Sequence, residues 1–160
     1  MPNWCSNTTT IQGSQETLEW LMSVEFSFEK IRPMPDNQGL DWYDWNIEHW
    51  GTKWDVQDVE SDLDLATQTL TLHYRTAWSP PIKLLQYLSE QRQLHITNYH
   101  VDEGYGFVGQ TVIVNGNEVS DEYLEPHAHD TDSLQQYAAN HNWFNYEDWS
   151  QFIRMMEGNE

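Results

Sequence analysis

The sequence predicts an α+β fold in which helices pack on one face of an antiparallel sheet, and three patterns support this prediction. Residues 68–78 alternate between apolar and polar side chains, as a half-buried strand does. Residues 14–22 and 79–88 place apolar side chains on one helical face. Asn115-Gly116 indicates a tight hairpin, because both central residues of a type I′ turn adopt positive φ.

The first third of the chain predicts a strand, a helix and a second short strand. Thr8 to Gly13 is rich in β-branched residues, and Ser14 is suited to cap the helix that follows. Phe26 to Ile31 alternates weakly, which favours a short strand. The proline-rich segment 33–39 then predicts a loop.

Residues 42–55 contain four tryptophans and one tyrosine, more aromatic surface than a solvated loop carries, so most of it is expected to be buried. Trp50-Gly51 indicates a helix end with glycine at the C′ position. Lys53 to Asp55 is expected to begin a strand. We interpret the tryptophans as a structural cluster that pins the fold, with stacking on a ligand as the alternative; its members are Trp42, Trp45, Trp50, Trp54 and Trp78.

Two strands, a helix and a hairpin complete the pattern. The strand predicted after Trp54 carries a carboxylate at every second position from Asp58 to Asp64, and this spacing places them on one side of the strand. The next strand should point Leu70, Leu72, Tyr74, Thr76 and Trp78 to one face. Ser79 is predicted to cap a helix with Pro80 at its first position. Further strands are expected at 94–101, 107–114 and 117–120.

The order β-α-β-β-α-β matches a ferredoxin-like plait with an antiparallel sheet and helices on one face. We assign residues 1–120 to this domain, with an aromatic helical insertion at about 33–53 and an added hairpin. Residues 121–160 form an acidic C-terminal extension of a linker and helices. Its last helix has an apolar face that is expected to dock on the domain itself, with a partner groove as the alternative.

Five motifs carry a resemblance to a known family: Met1-Pro2-Asn3-Trp4-Cys5-Ser6-Asn7, Pro33-Met34-Pro35, Trp50-Gly51-Thr52-Lys53-Trp54-Asp55, Thr76-Ala77-Trp78-Ser79-Pro80-Pro81, and Glu103-Gly104 followed by Phe107-Val108-Gly109. In this order they resemble the YubB-type ferredoxin-like proteins of bacteriophages, prophages and plasmids. The resemblance covers roughly residues 1–114. It implies a ferredoxin-like domain of mobile-element origin, and it implies no catalytic residues.

Charge narrows the classes of partner. The formal net charge is −19, and no lysine or arginine lies between Arg92 and Arg154. Direct binding of nucleic acid or an anionic membrane is therefore not expected, because each phosphate contact needs a cation. Cys5 is the single cysteine, and the first residues lack the basic and apolar regions of a secretion signal. A bacterial cytoplasm is the expected location.

Together with the implied mobile-element origin, the charge favours a non-enzymatic protein that binds a basic host protein surface, for example as a nucleic-acid mimic or a modulator of host defence. A plain solvated acidic surface is the alternative reading of the charge. The predicted acidic face comprises Asp58, Glu60, Asp62, Asp64, Asp102, Glu103, Asp121, Glu122 and Glu125. The second functional hypothesis is a ligand-binding or enzymatic domain that joins a tryptophan-rich cleft to His73, His95 or His100 and a carboxylate.

Metal chemistry has weaker support in the sequence. Glu125, His127 and His129 share one side of an extended segment and offer ligands for Zn²⁺ or Ni²⁺, although linker histidines are common. Residues 58–64 lack the glycine and glutamate of a calcium-binding EF-hand loop, so a solvated acidic side is favoured there. Cys5 is expected to be a buried, inert thiol. We expect no cofactor and no catalytic residue.

Overall fold

The computed structural model describes residues 3–35, 41–102 and 108–124. Six strands and four helices occur in this part of the chain, in the order β1 (Trp4–Gln12), α1 (Gln15–Ser23), α2 (Phe28–Ile31), α3 (Trp42–His49), β2 (Gln57–Asp64), β3 (Thr69–Ala77), α4 (Ile82–Arg92), β4 (His95–Asp102), β5 (Val108–Val114) and β6 (Asn117–Leu124).

The strands form one antiparallel sheet in the order β2-β3-β1-β4-β5-β6. Its first four positions contain the β2-β3-β1-β4 arrangement of a ferredoxin-like plait, and β5 and β6 extend the β4 edge as a hairpin. The predicted fold class is therefore confirmed.

One face of the sheet is covered by helices and holds the core. Alternate residues of β1, β3, β4 and β5 point into it, because successive side chains of a strand face opposite sides. From the helices, Leu18 of α1 and Leu85 of α4 are completely buried against this face. The buried apolar side chains that the sheet itself contributes include Ile11, Leu70, Leu72, Ile96 and Ile113.

Several local predictions are confirmed. Ser14 caps α1, and its side chain accepts a hydrogen bond from the Thr17 amide at 3.2 Å. Gly51 follows α3 with φ +85°, and a Cβ added there would lie 3.2 Å from the Lys83 backbone nitrogen. Asn115 and Gly116 both have positive φ in the β5–β6 turn, as the hairpin signal requires.

The prediction of a short strand at 26–31 is wrong. Glu25 and Phe26 adopt φ of 55° and 53°, and the chain then forms the helix α2. Asp55, predicted to belong to a strand, explains this helix. Its carboxylate accepts hydrogen bonds from the Phe28 amide at 2.7 Å and the Glu29 amide at 3.3 Å. A helix this short depends on such a partner, because its own first amides have no acceptor within the helix.

The junction between β3 and α4 also differs from the prediction. Ser79 does not cap α4, whose N-cap is Pro81. The Ser79 hydroxyl instead donates to the Gly51 carbonyl at 2.7 Å. Trp78 does not continue β3, which ends at Ala77, and it has φ of 70°. The strand β2 begins at Gln57 rather than near Trp54, and the Asp55 carboxylate before it caps α2.

Among the described residues, no helix combines the length and apolar composition that crossing a bilayer requires. The segment from 125 onward lies outside the described residues, and so does the predicted docking of the C-terminal helices. The hairpin strand β6 runs across the predicted domain boundary at residue 120 and ends at Leu124.

Candidate functional site

The five tryptophans of the predicted structural cluster occupy three different environments. Trp45 and Trp50 lie in the core, with 7% and 5% of their surface exposed. Trp42 and Trp78 are exposed at 49% and 41%. Trp54 is half-buried. Residues 42–55 therefore contribute Trp45 and Trp50 to the core, whereas Trp42 and the more distant Trp78 form an accessible aromatic surface.

The buried pair is held by specific contacts. The Trp50 indole nitrogen donates to the Arg32 carbonyl at 3.0 Å, so its polar atom is satisfied inside the core. Its ring meets Phe28 and Trp45 edge-on, with centroids 5.8 Å and 5.7 Å away. Its own carbonyl accepts from the Leu84 amide at 3.2 Å, which ties α3 to α4. Trp50 thus connects the aromatic insertion to the plait.

One exposed ring and two half-buried rings surround one lysine. The Lys53 ammonium lies 4.6 Å from the centroid of Trp78, 4.8 Å from Trp54 and 5.9 Å from Tyr43. All three distances are within the range of a cation–π contact. We call these three rings the lysine cage. Trp42 extends it, because its ring packs edge-on against Tyr43 at 6.0 Å.

The backbone around Lys53 is fixed by two side chains. The buried Thr52 hydroxyl donates to the Ala77 carbonyl at 2.7 Å, which ties this segment to the end of β3. The Asn46 amide donates to the Lys53 carbonyl at 2.8 Å, which ties it to α3. The cage is therefore built on positions that the fold determines.

Trp78 is held in an unfavourable backbone conformation. Its φ of 70° places it in the left-handed region, which bulky side chains seldom adopt. The Trp78 amide donates to the Asn3 carbonyl at 2.9 Å, and the Thr76 hydroxyl donates to the Ser79 carbonyl at 2.7 Å. Such strain persists where surrounding bonds fix it, and it concentrates at functional sites. Here the strained backbone turns the Trp78 indole outward, over Lys53.

Glycine and alanine at position 78 should reveal this strain. Both substitutions remove the ring, but only glycine adopts positive φ without cost. We expect Trp78→Gly to be more stable than Trp78→Ala by up to about 1 kcal/mol in chemical denaturation. At Trp42, in the first turn of α3, the order should reverse, with alanine more stable than glycine by about 0.5–1 kcal/mol. If glycine and alanine had the same order of stability at both positions, the backbone of Trp78 would not be strained.

A chain of contacts links the cage to strand β2. Trp54 packs against Trp4 with centroids 6.0 Å apart, and the Arg75 guanidinium lies 4.9 Å from the Trp4 ring. Arg75 also forms an ion pair with Asp58 at 2.8 Å. The aromatic surface and the acidic strand are therefore neighbours at one edge of the sheet.

The strand β2 exposes all four of its carboxylates. Glu60 is paired opposite His73 and Asp62 opposite Thr71, so both side chains point to the face that the described helices leave uncovered. The register shifts between Gln57 and Glu60, and Asp58 has φ of 55° at this irregularity. Asp64 accepts hydrogen bonds from the two amides of the following turn. The strand forms one edge of the sheet.

The other members of the predicted acidic face lie elsewhere. Asp121 is exposed on β6, at the opposite edge, and accepts a hydrogen bond from Thr111 at 3.1 Å. Glu122 is also on β6, and Asp102 ends β4. Glu103 and Glu125 lie outside the described residues. Asp121 and the carboxylates of β2 therefore lie at opposite edges of the sheet, and Asp102 lies at the end of an interior strand.

The described cations mostly contact rings rather than carboxylates. Between described residues, the structure forms one ion pair, the one that joins Arg75 to Asp58. In contrast, four of the six described lysines and arginines lie over aromatic rings; these are Arg32 over Tyr87, Lys53 in its cage, Arg75 over Trp4 and Arg92 over Trp20. The acidic surface is therefore little neutralised by its own cations.

The histidines of the second hypothesis are not brought together with the tryptophans. His73 and His95 are exposed on the sheet, and His73 is hydrogen-bonded to the Thr8 hydroxyl at 3.1 Å. His100 is buried on the helix-covered face. Burial lowers the pKa of His100 to about 4, and the nearby Asp121 carboxylate raises it by less. A buried imidazole of this kind stays neutral near pH 7.

A network of polar side chains spans β1, β3 and β4 on the helix-covered face of the sheet. The Thr9 hydroxyl donates to Asn98 Oδ1 at 2.6 Å, so its oxygen accepts from the Tyr74 hydroxyl at 2.7 Å. Asn98 donates to Asn7, which donates to Thr76. Burial raises the pKa of Tyr74 above its ordinary value, which keeps it protonated as a donor. Because these groups satisfy one another, we interpret the network as structural.

A groove of about 580 Å³ lies between the end of α1 and strand β2. Its polar lining includes Asp55 and Ser27, which are engaged in capping α2. Neither a histidine nor a tryptophan lines it. The groove therefore does not supply the constellation that the enzymatic hypothesis requires.

Metal binding has no support within the described ranges, where no group of three or more His, Cys, Asp or Glu side chains is placed to hold an ion. The predicted ligands Glu125, His127 and His129 lie outside these ranges. Cys5 is completely buried on β1.

Comparison with known proteins identifies the family. A family model described as "Ferredoxin-like domain in Api92-like protein" matches residues 49–142, more than half of the chain. The chain belongs to this Api92-like family. None of the curated proteins compared with the chain matches it. The range that matches the Api92-like model includes Lys53, Trp54 and Trp78 of the lysine cage.

Among solved structures, the chain is similar to the crystal structure of protein api92 from Yersinia pseudotuberculosis, at 20% identity and a TM-score of 0.48. The match covers 54% of this chain and 32% of that one. This chain therefore spans about a third of the length of the Api92 protein that it matches.

Sequence reasoning missed the role of Lys53, Tyr43 and Arg75. A signal was present, since Lys53 is the one lysine or arginine between Arg32 and Arg75 and it lies within the tryptophan-rich segment. The sequence could not show that Trp78, remote along the chain, completes the ring of aromatic partners. That contact depends on the positive φ at Trp78, which cannot be predicted from the residue type.

Proposed function

We propose that this Api92-like domain is a non-enzymatic interaction module that binds a basic surface on another protein through the acidic edge strand β2. The single observation that carries the proposal is the exposure of every carboxylate on this strand. Complementary charge accelerates association and makes it sensitive to salt.

The arrangement of cations strengthens the proposal. Glu60, Asp62 and Asp64 form no ion pair with another described residue, because the nearby Arg75 contacts Asp58 and Trp4. Their charge is therefore directed to solvent. Charged side chains on an edge strand also prevent sheet-to-sheet aggregation, and this protective role is the competing explanation. A protective edge needs charge of either sign, whereas a docking surface for a basic partner needs carboxylates.

The resemblance to YubB-type proteins supports a more specific setting. A mobile-element origin would place the protein in a bacterial cytoplasm, where a basic surface of a host protein is the partner. Host proteins that bind nucleic acid present such surfaces. Carboxylates held on a strand would then occupy positions where phosphates normally lie, so the domain would act as a nucleic-acid mimic or a modulator of host defence.

The proposal is tested by capture from bacterial lysate with the immobilised full chain. We expect basic proteins to be recovered at low salt and released at high salt, because screening weakens interactions between exposed charges. The double variant Glu60→Gln with Asp62→Asn should lose most of this recovery. It removes two charges while preserving side-chain shape.

The matched control removes two charges from helices instead. Glu19→Gln with Glu48→Gln alters exposed carboxylates on α1 and α3, and its net charge equals that of the β2 variant. This control should retain the basic partners. Equal losses in both variants would show that overall charge, rather than the β2 edge, determines binding. Recovery of no basic protein at low salt would contradict the proposed function.

A further inference from the structure

We propose that Tyr43, Trp54 and Trp78 form a binding site for an alkylammonium group, which Lys53 fills in the free protein and a lysine of the basic partner fills in the complex. The identity of the incoming group as a partner's lysine rests on the proposed function. The presence of the site itself does not, since it follows from the geometry of the cage.

The present occupant of the cage shows which chemistry the site accepts. Three rings approach one ammonium at 4.6, 4.8 and 5.9 Å. Aromatic faces carry negative potential, and several rings around one cation are the arrangement by which proteins recognise alkylammonium ligands. Lys53 shows that the space between these rings accepts a primary ammonium on a flexible methylene chain.

The cage is also accessible from solvent. Trp78 is 41% exposed and its neighbour Trp42 is 49% exposed, so one side of the cage opens to solvent. The backbone at Lys53 is held independently of the cage. The Lys53 carbonyl accepts a hydrogen bond from Asn46, and the adjacent Thr52 hydroxyl donates one to the Ala77 carbonyl. The side chain can therefore leave while the backbone and the rings keep their positions.

The position of the cage in the fold also suits a basic partner. The cage is connected to the acidic strand through Trp4 and Arg75, which contacts Asp58. A basic surface that meets Glu60 and Asp62 would lie close enough to present a lysine to the cage. Exchange of one ammonium for another preserves the cation–π contacts, and the released Lys53 regains its hydration.

The site can be tested first in the unaltered protein by NMR. Aromatic ring currents should shift the ε-methylene protons of Lys53 upfield of the other lysines. Titration with tetramethylammonium chloride should move these signals back toward their ordinary position in a saturable manner, whereas sodium chloride at equal ionic strength should not. Lys53 signals at ordinary positions before titration would overturn the proposal.

Variants test the exchange. Lys53→Ala empties the cage and should bind tetramethylammonium more tightly than the wild type, as followed by tryptophan fluorescence. Adding Trp78→Ala to it should weaken binding about tenfold, as expected for loss of a cation–π partner. Lys83→Ala removes an exposed lysine outside the cage and should behave as the wild type does. Equal affinity for Lys53→Ala with and without Trp78 would overturn the site.

These outcomes are separable from those of the proposed function. If the cage binds tetramethylammonium but no basic protein is captured from lysate, the site stands and the proposed partner class fails. If a basic protein is captured equally by the wild type and by Trp78→Ala, the acidic edge is sufficient and the cage does not receive the partner's lysine.

Discussion

Trp50→Ala should lower the free energy of unfolding by about 4 kcal/mol, as expected for removal of a large buried aromatic side chain. Trp50 is 5% exposed, packs edge-on against two rings, and donates a hydrogen bond to the Arg32 carbonyl. Its removal leaves a cavity and an acceptor that has lost its donor. Denaturant unfolding monitored by circular dichroism measures the change.

Trp42→Ala provides the matched comparison within the same helical segment. Trp42 is 49% exposed, so its removal creates no cavity, and we expect a loss below about 1 kcal/mol. A large loss for Trp42 would mean that the exposed rings also stabilise the fold. A small loss for Trp50 would contradict the role of this indole in packing against Phe28 and Trp45 in the core.

His100 should make the protein less stable as the pH falls from 7 to 5. Burial lowers its pKa in the folded protein to about 4 from an ordinary value of 6.5. The unfolded chain therefore binds a proton at a pH where the folded protein does not, and stability declines below pH 6.5. These two pKa values imply a loss of about 2 kcal/mol between pH 7 and pH 5.

The His100 contribution is isolated by comparing pH profiles. His100→Gln removes the titrating group, so its stability should fall less than that of the wild type over this range. Identical slopes for the wild type and His100→Gln would show that His100 does not control this pH dependence.

The elements that the sequence predicts well are those with a local signal. The alternation in β3, the serine cap of α1 and the Asn-Gly turn each depend on residues within a few positions of one another. The misassigned elements depend on distant partners. Asp55 caps a helix that begins 27 residues earlier, and no local pattern connects the two.

The candidate site shows the same division. The density of tryptophan in residues 42–55 could be seen in the sequence, but the separation into buried and exposed rings could not. Trp45 and Trp50 differ from Trp42 through their position on α3 and its approach to α4. The lysine cage combines two rings of residues 42–55 with Trp78, and Trp78 joins it through a backbone conformation that is rare for its residue type.

The turn at Trp78 has one more consequence. The hydrogen bonds that lead the chain from β3 into α4 also fix the backbone from which the exposed indole projects. The conformational entropy of this ring-bearing segment is therefore lost during folding. A molecule that contacts the ring meets a preorganised surface, and its affinity is not reduced by the cost of ordering that segment.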